Sequence, residues 1–180
     1  MNSEELMKNS KSVLEDLQDV FQNVNSWLNF AEVKHGALIA LDTTFILGII
    51  TLIVDKKLDG SSMWGLGIII ISLLISMYSY YPNIKWIKDE WMIGRKKVTP
   101  NRNLLFYRDI FQLSNKEYLE KIYKDYYNIQ VSEFKKKEID YAEEIVVNSR
   151  ITMKKYFLFK ISLVSCSIGI LVLIVPLFIG

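Results

Sequence analysis

Cysteine, histidine and helix-breaking residues are scarce in this chain, and each scarcity excludes a class of protein. Cys166 is the only cysteine, so the chain cannot form an internal disulfide. His35 is the only histidine, and one cysteine with one histidine cannot supply the ligands of a usual zinc site. Neither glycine nor proline occurs between Pro100 and Gly169, which favours long helices over a sheet. We therefore predict an all-α protein with no metal site.

The chain also lacks a strong excess of charge of one sign. It has 22 Lys and Arg against 20 Asp and Glu, a net charge of +2, which argues against a nucleic-acid partner. No catalytic pattern is complete: His35 lies at the edge of an apolar run, Cys166 lies inside one, and no GxxxxGK[ST] phosphate loop occurs. We predict that the protein is not an enzyme and has no cofactor.

Apolar residues are abundant, at 51% of the chain, and they are concentrated in three runs. A hydrocarbon core about 30 Å thick needs roughly 20 helical residues, which the second and third runs supply and the first nearly supplies. The runs predict three transmembrane helices in an integral membrane protein: residues 37–54 (ALIALDTTFILGIITLIV), residues 63–81 (MWGLGIIIISLLISMYSYY) and residues 157–179 (FLFKISLVSCSIGILVLIVPLFI).

The positions of Lys and Arg predict the orientation of these helices. The loop 55–62 (DKKLDGSS) carries only two lysines, whereas residues 83–156 carry sixteen Lys and Arg. Positive charge stays on the cytoplasmic side, so we expect residues 1–36 and 82–156 inside the cell, the short loop outside and the C-terminus outside. The first twelve residues (MNSEELMKNSKS) do not resemble a signal peptide, so we expect a multi-pass membrane protein.

Residues 1–36 have the spacing of one long helix. Apolar side chains recur at intervals of three and four residues, which is a heptad seam, and the same spacing continues to His35 and Leu38. Two interpretations remain open: the seam packs on helices of the same chain, or it mediates self-association. The residues of the seam are Leu14, Leu17, Phe21, Val24, Leu28 and Ala31.

Residues 82–156 are predicted to form a helical cytoplasmic body. Ser114 and Glu117 fit a capping box, which predicts a helix that begins there and continues to about Asn128. A further helix is predicted to begin near Ser132 and to continue into the third apolar run. The apolar face of the first of these helices is predicted to contain Leu119, Ile122, Tyr126 and Ile129.

Asp42 is an acidic residue within the first apolar run. An ionisable side chain inside a span is costly unless it is paired or hydrated, so it indicates a functional site. The alternative is that Asp42 is hydrated near the membrane interface, because it lies only about 7.5 Å along the helix from the start of the run. The sequence does not decide between these interpretations.

Two polar clusters, at 101–108 and 148–156, lie next to the predicted spans and combine Arg or Lys with Asn and aromatic residues. Arg and Lys suit a phosphate, an aromatic ring can stack on a base, and Asn can bind a base edge. Basic residues near a bilayer also contact lipid headgroups, so the composition allows either a nucleotide site or a lipid-facing surface.

Three blocks of the sequence resemble the Pycsar-type transmembrane effector family in their order and spacing. The first contains Ala-Glu-x-Lys before the first apolar run. The second is Asn-Leu-x-Phe-x-x-Asp-Ile, and the third is Asn-Ser-Arg-Ile-x-x-x-Lys-Tyr before the last run. The residues that match are Glu32 and Lys34, then Asn103, Phe106 and Asp109, then Asn148, Arg150, Lys154 and Tyr156.

The resemblance implies an effector of antiphage defence in the bacterial inner membrane, with the cytoplasmic body 82–156 as its sensor. Such effectors respond to a cyclic nucleotide made by a partner nucleotide cyclase, impair the inner membrane and stop growth, and we expect a homo-oligomer in the lipid bilayer. Apart from Asp109, the matching residues are then the expected nucleotide ligands. Family members often have Asn-Gly where this chain has Asp42-Thr43, so this chain has an added acid and lacks a flexible residue there. The alternatives are a membrane scaffold that binds a partner through its helical body, and a small ion channel that uses Asp42.

Overall fold

The computed structural model describes residues 3–55, 62–81, 102–131 and 133–179; side chains are described from residue 12 onward, except at 62 and 176–179. The described residues form helices and no strand, which confirms the all-α prediction. Most of the predicted loop 55–62, and residues 82–101 of the predicted cytoplasmic body, lie outside the described residues. The helices are α1 (Ser3–Val54), α2 (Ser62–Tyr78), α3 (Tyr107–Ile110), α4 (Asn115–Tyr127) and α5 (Lys136–Ile179).

Helix α1 continues without a break through the predicted arm and the first apolar run. Its buried positions over residues 12–29 follow the predicted spacing and are Val13, Leu17, Val20 and Val24. The predicted seam is confirmed at Leu17 and Val24, whereas Leu14 and Phe21 are only half-buried at its flank. Because the seam is buried within a single chain, the structure favours packing inside the chain over self-association through this surface.

The chain divides into two compact units. The first contains residues 1–29 and 83–154, and the second contains residues 30–82 and 155–180. Helices α1 and α5 each contribute one part of their length to each unit. The second unit contains all three apolar runs, and the segment bounds drawn from the sequence stay a prediction.

The first unit is built around the buried face of α4. Ser114 Oγ accepts from the Glu117 backbone N–H, and the Glu117 carboxylate accepts from the Ser114 N–H, so the predicted capping box is confirmed. The helix ends at Tyr127, because Asn128 adopts a left-handed conformation with φ 53°. The buried side chains of α4 are Tyr118, Leu119, Ile122 and Tyr123.

The predicted apolar face of α4 is therefore confirmed only in part. Leu119 and Ile122 are buried, but Tyr126 is 47% exposed and Ile129 follows the end of the helix. The large buried residue is Tyr118, whose hydroxyl donates to the Leu104 carbonyl at 3.1 Å. A tyrosine can be buried in this way because its one polar group has a partner.

The second unit packs the C-terminal parts of α1 and α5 with α2. An apolar cluster of Ile49, Leu66 and Ile69 lies toward the ends of the helices near Val54 and Ser62. Gly65 and Gly169 let α2 and α5 approach closely. A Cβ at Gly65 would lie 3.0 Å from the Gly169 carbonyl oxygen, and a Cβ at Gly169 would lie 3.0 Å from the Gly65 carbonyl oxygen. Small residues at a helix crossing are typical of membrane proteins.

Among the described residues, two helices are long and apolar enough to cross a membrane. Within Ser12–Val54 and Lys136–Val175, the most apolar windows of 18 residues have mean hydropathies of 2.3 and 2.5, and only 17% of each window is buried. A core helix of a water-soluble protein would be mostly buried, so these exposed apolar surfaces fit a bilayer. The apolar part of α2, Met63–Tyr78, is shorter, and a third span stays a prediction.

Candidate ligand-binding site

The predicted site residues lie in both units, and each group has its own geometry. In the first unit, Asn103 and Asp109 shape the chain that leads into α3. The Asn103 side-chain oxygen accepts from the Leu105 N–H at 2.9 Å, and the Asp109 carboxylate accepts from the Asn103 N–H at 3.0 Å. These contacts are those of a side chain stabilising a turn, so both residues hold the segment that presents Phe106.

Phe106 belongs to an aromatic cluster with Trp27 and Tyr107. The Phe106 and Tyr107 ring centroids are 4.8 Å apart, and Trp27 on α1 lies 6.2 Å from Phe106 and 5.8 Å from Tyr107. Tyr107 is buried, whereas Phe106 and Trp27 are only half-buried. The two half-buried rings therefore leave part of their aromatic surface for a further ring.

Arg150 on α5 contacts the chain that follows α3. Its Nε donates to the Phe111 carbonyl at 3.2 Å, and its NH2 group donates to the Leu113 carbonyl at 3.0 Å. Burial lowers the pKa of Arg150 from its ordinary value, although an arginine remains charged. Two of its five N–H groups are used in these bonds, so Arg150 has both a structural role and donors for an anion.

Asn148 lies two residues before Arg150 on α5 and pairs with α1. Its Nδ2 donates to Asn25 Oδ1 at 2.9 Å. Arg102, which the sequence comparison did not single out, donates to Gln112 Oε1 at 3.0 Å, and its buried NH1 group has no hydrogen-bond partner among the described residues. Arg102 and Phe106 belong to the segment 102–113, and Arg150 donates to two carbonyls of the same segment.

In the second unit, Glu32 pairs with a residue that the sequence did not single out. Lys155 Nζ lies 3.1 Å from Glu32 Oε1 and donates to the Ser79 carbonyl at 3.2 Å. The same ammonium lies 5.0 Å from the centre of the Tyr80 ring, and the Tyr80 hydroxyl donates to the Glu32 carbonyl at 2.6 Å. Lys155 is only 8% exposed, so this charge is held between α1, α2 and α5.

Lys34 is surrounded by aromatic rings. Its ammonium lies 4.5 Å from the centre of the Phe30 ring, 5.1 Å from Tyr156 and 5.6 Å from Phe159. A cation over several ring faces is stabilised by their negative electrostatic surfaces. Glu32, Lys34 and Tyr156 therefore lie in one region of the second unit, and Lys154 lies at the end of the first.

His35 is buried beside Lys155. Its Nε2 lies 2.9 Å from the Lys155 carbonyl oxygen, and since a carbonyl can only accept, Nε2 carries the hydrogen. Nδ1 has no hydrogen-bond partner among the described residues. Burial lowers the pKa of His35 below its ordinary value of 6.5, and the bond to Lys155 opposes this shift only in part. His35 is therefore neutral near pH 7.

Comparison with known families decides what these blocks belong to. The family model described as PycTM, the Pycsar effector protein domain, matches residues 16–180. The chain belongs to this family. Comparison with curated proteins and with solved structures gives no match. The match covers all three blocks of the sequence and both units of the fold, and it confirms the resemblance drawn from the sequence.

Membership makes the protein a Pycsar effector: a membrane protein of antiphage defence from a non-enzymatic family. The family match does not depend on any of the contacts described above. The roles of the eight predicted nucleotide ligands therefore stay predictions, and the contacts determine which of them are best placed.

Trp27, Asn25 and Lys155 are the residues of this Pycsar effector that the sequence reasoning missed. The buried spacing of α1 could have found the first two, because both lie in the helix that carries the heptad seam. Lys155 lies next to the predicted Lys154, and only the direction in which each side chain leaves the helix distinguishes them. No sequence signal separates two adjacent lysines at a predicted membrane boundary.

Burial of neutral His35 predicts a pH-dependent stability. The unfolded chain binds a proton near the ordinary pKa of 6.5, whereas the folded chain binds it only at lower pH. Stability is therefore fully present above pH 6.5 and decreases as the pH falls below that value. Thermal unfolding of the purified protein in detergent, from pH 7.5 to 5.5, measures this decrease.

The His35→Gln variant is the control, because its amide can donate to the Lys155 carbonyl but does not titrate. His35 is the only histidine, so the difference between the two pH profiles isolates its proton. Parallel profiles for the natural protein and the variant would show that burial of His35 has no effect on stability.

Proposed function

We propose that this Pycsar effector binds a cyclic nucleotide made by a partner nucleotide cyclase, then impairs the inner membrane as a homo-oligomer and stops growth. The observation that supports this most strongly is the family match over residues 16–180, which contains all three blocks of the sequence. The proposal includes three membrane crossings, with residues 1–36 and 82–156 in the cytoplasm and the C-terminus outside. The charge asymmetry between the loop 55–62 and residues 83–156 supports that orientation.

The first unit offers the chemistry that a nucleotide needs. Trp27 and Phe106 provide half-buried rings on which a base can stack. Arg102 has a buried guanidinium nitrogen without a hydrogen-bond partner in the described residues, and Arg150 has further N–H donors for a phosphate. Asn148 donates to Asn25, and a base edge could replace Asn25 as the partner of the Asn148 amide.

The second group, Glu32, Lys34 and Tyr156, supports the proposal less directly. Glu32 is engaged by Lys155, and Lys34 is held over three rings, so binding of a ligand there would have to replace existing contacts. Lys154 is half-buried at the end of the first unit. We retain all four as predicted ligands and rank them below Phe106 and Arg150.

Leakage of dye-loaded liposomes containing the purified protein tests the proposal. A panel of cyclic mono- and dinucleotides is added, and we expect one of them to cause leakage in the natural protein. Phe106→Leu keeps most of the apolar volume but removes the ring. We expect a response that is weaker by about fivefold or more, since stacking on a base is worth about 1–3 kcal/mol.

Arg150→Ala is expected to abolish the response, and Lys124→Ala is the control because Lys124 is a cation exposed on α4, outside both polar clusters. Because Arg150 also bonds two carbonyls, each variant is first compared with the natural protein for thermal stability without nucleotide. Leakage that is equal with and without every nucleotide would contradict ligand gating. An unchanged response in Arg150→Ala would exclude Arg150 from the site.

A further inference from the structure

Asp42 is completely buried in the second unit, at the position where α1, α2 and α5 meet. The Ser72 Oγ on α2 lies 2.7 Å from Asp42 Oδ2 and 2.8 Å from the Ser162 carbonyl oxygen on α5. Cys166 of α5 is also buried in this unit. Asp42 thus belongs to a hydrogen-bonded group that joins all three helices, and it is not at a hydrated edge of the unit.

The number of hydrogens in this group indicates its chemical state. Both oxygen–oxygen distances are those of full hydrogen bonds, but a serine hydroxyl carries one hydrogen and cannot place it on two lines at once. The Ser162 carbonyl has no hydrogen to donate. The missing hydrogen is supplied if the Asp42 carboxyl carries it: Oδ2–H then donates to Ser72 Oγ, and Ser72 donates to the Ser162 carbonyl.

The surroundings of Asp42 agree with a neutral acid. Among the ion pairs of the described residues, none includes Asp42, and the Asp42 Oδ1 atom has no hydrogen-bond partner that compensates a charge. The hydrogen-bonding group that faces the carboxyl among the described residues is the Ser72 hydroxyl from α2. The described residues contain no cluster of three or more His, Cys, Asp or Glu that could hold a metal there.

We propose that Asp42 is a proton-binding site within the second unit, occupied when α1, α2 and α5 are packed as in this structure. One proton from water joins the carboxylate at Oδ2 and completes the chain from Asp42 through Ser72 to Ser162. The proposal is independent of nucleotide sensing and of the three-span topology. It requires only that α1, α2 and α5 pack together.

The polar side of the unit determines how the proton reaches Asp42. Ser72 and Ser76 are buried on one face of α2, and Ser79, directly after the helix ends, is buried at the next step of the same spacing. The Ser79 carbonyl accepts from Lys155, so this face leads toward the Glu32–Lys155 pair. In the opposite direction lies the apolar cluster of Ile49, Leu66 and Ile69, which offers no polar group. The polar groups among the described residues therefore favour exchange of the proton from the Lys155 end.

Infrared spectroscopy of the full chain in lipid vesicles at neutral pH tests the proposal. A protonated carboxylic acid gives a carbonyl band that shifts in D2O, and we expect the natural protein to show one such acid that Asp42→Asn loses. Asp55→Asn is the matched control, since Asp55 is exposed at the end of α1, and it is expected to keep the band. Equal bands in the natural protein and Asp42→Asn would overturn the proposal.

A second variant tests the hydrogen bond itself and does not depend on how well Asp42→Asn folds. Ser72→Ala removes the oxygen to which the acid donates, so the band is expected to move to higher frequency. A band at the same frequency in Ser72→Ala and the natural protein would show that the Asp42 carboxyl does not donate to Ser72, and the proposal would be wrong.

Discussion

Replacement of Gly169 by isoleucine is expected to disrupt the packing of the second unit, whereas the same replacement at Gly67 is expected to be tolerated. A Cβ at Gly169 would lie 2.6 Å from Ile69 Cγ1, 3.0 Å from the Gly65 carbonyl oxygen and 3.2 Å from the Ile69 backbone nitrogen. Two of these three neighbours are backbone atoms, so α2 has to move as a whole. Overpacking of this kind costs about 3 kcal/mol or more when a branched side chain follows the Cβ.

The two glycines form a matched pair because both lie inside helices of the same unit. Isoleucine is a better helix former than glycine at either position, so intrinsic propensity favours both variants equally. A Cβ at Gly67 meets nothing within 4 Å. Thermal unfolding in detergent should show a large loss of stability for Gly169→Ile and little change in stability for Gly67→Ile. Equal losses in the two variants would mean that α2 and α5 do not cross closely at Gly65 and Gly169.

Removal of the Lys155 ammonium is the second change expected to have a large effect. Lys155 has a side chain only 10% exposed, and it satisfies both the Glu32 carboxylate and the Ser79 carbonyl. Lys155→Ala leaves both acceptors without this donor. A hydrogen bond to a charged group contributes about 1.5–3 kcal/mol, and because Glu32 is 43% exposed and can be rehydrated, we expect a total loss of about 2 kcal/mol.

Lys160→Ala provides the control for Lys155→Ala. Lys160 is on the same helix, five residues further along, and its side chain is exposed, so its removal should leave thermal stability nearly unchanged. A double-mutant cycle of Glu32→Gln with Lys155→Ala then measures the coupling of the pair. A coupling energy near zero would show that Lys155 stabilises the unit only through Ser79 and Tyr80.

Much of this fold follows from local patterns in the sequence. Long stretches without glycine or proline predict α1 and α5, and the capping box at Ser114 predicts the start of α4, because both depend on residues a few positions apart. The burial of Asp42 was also within reach. Asp42 lies seven residues after His35 in the seam of α1, so one further heptad step places it among the buried residues.

The direct partners of these residues were not within reach, because they come from distant parts of the chain. Ser72 is 30 residues from Asp42, and Lys155 is 120 residues from His35, so the contacts exist only after three helices pack. Sequence order alone cannot distinguish Lys154 from Lys155, since adjacent residues leave a helix about 100° apart and only packing decides which is buried.

The sequence by itself determined the helical class, the apolar runs and the family, since each of these depends on composition or on the order of residues along the chain. The tertiary structure alone decided that Asp42 meets Ser72, that Glu32 meets Lys155, and that Gly65 and Gly169 mark the crossing of α2 and α5. The physical reason is that hydrogen bonds and close packing act over a few ångströms in space, whatever the separation in sequence.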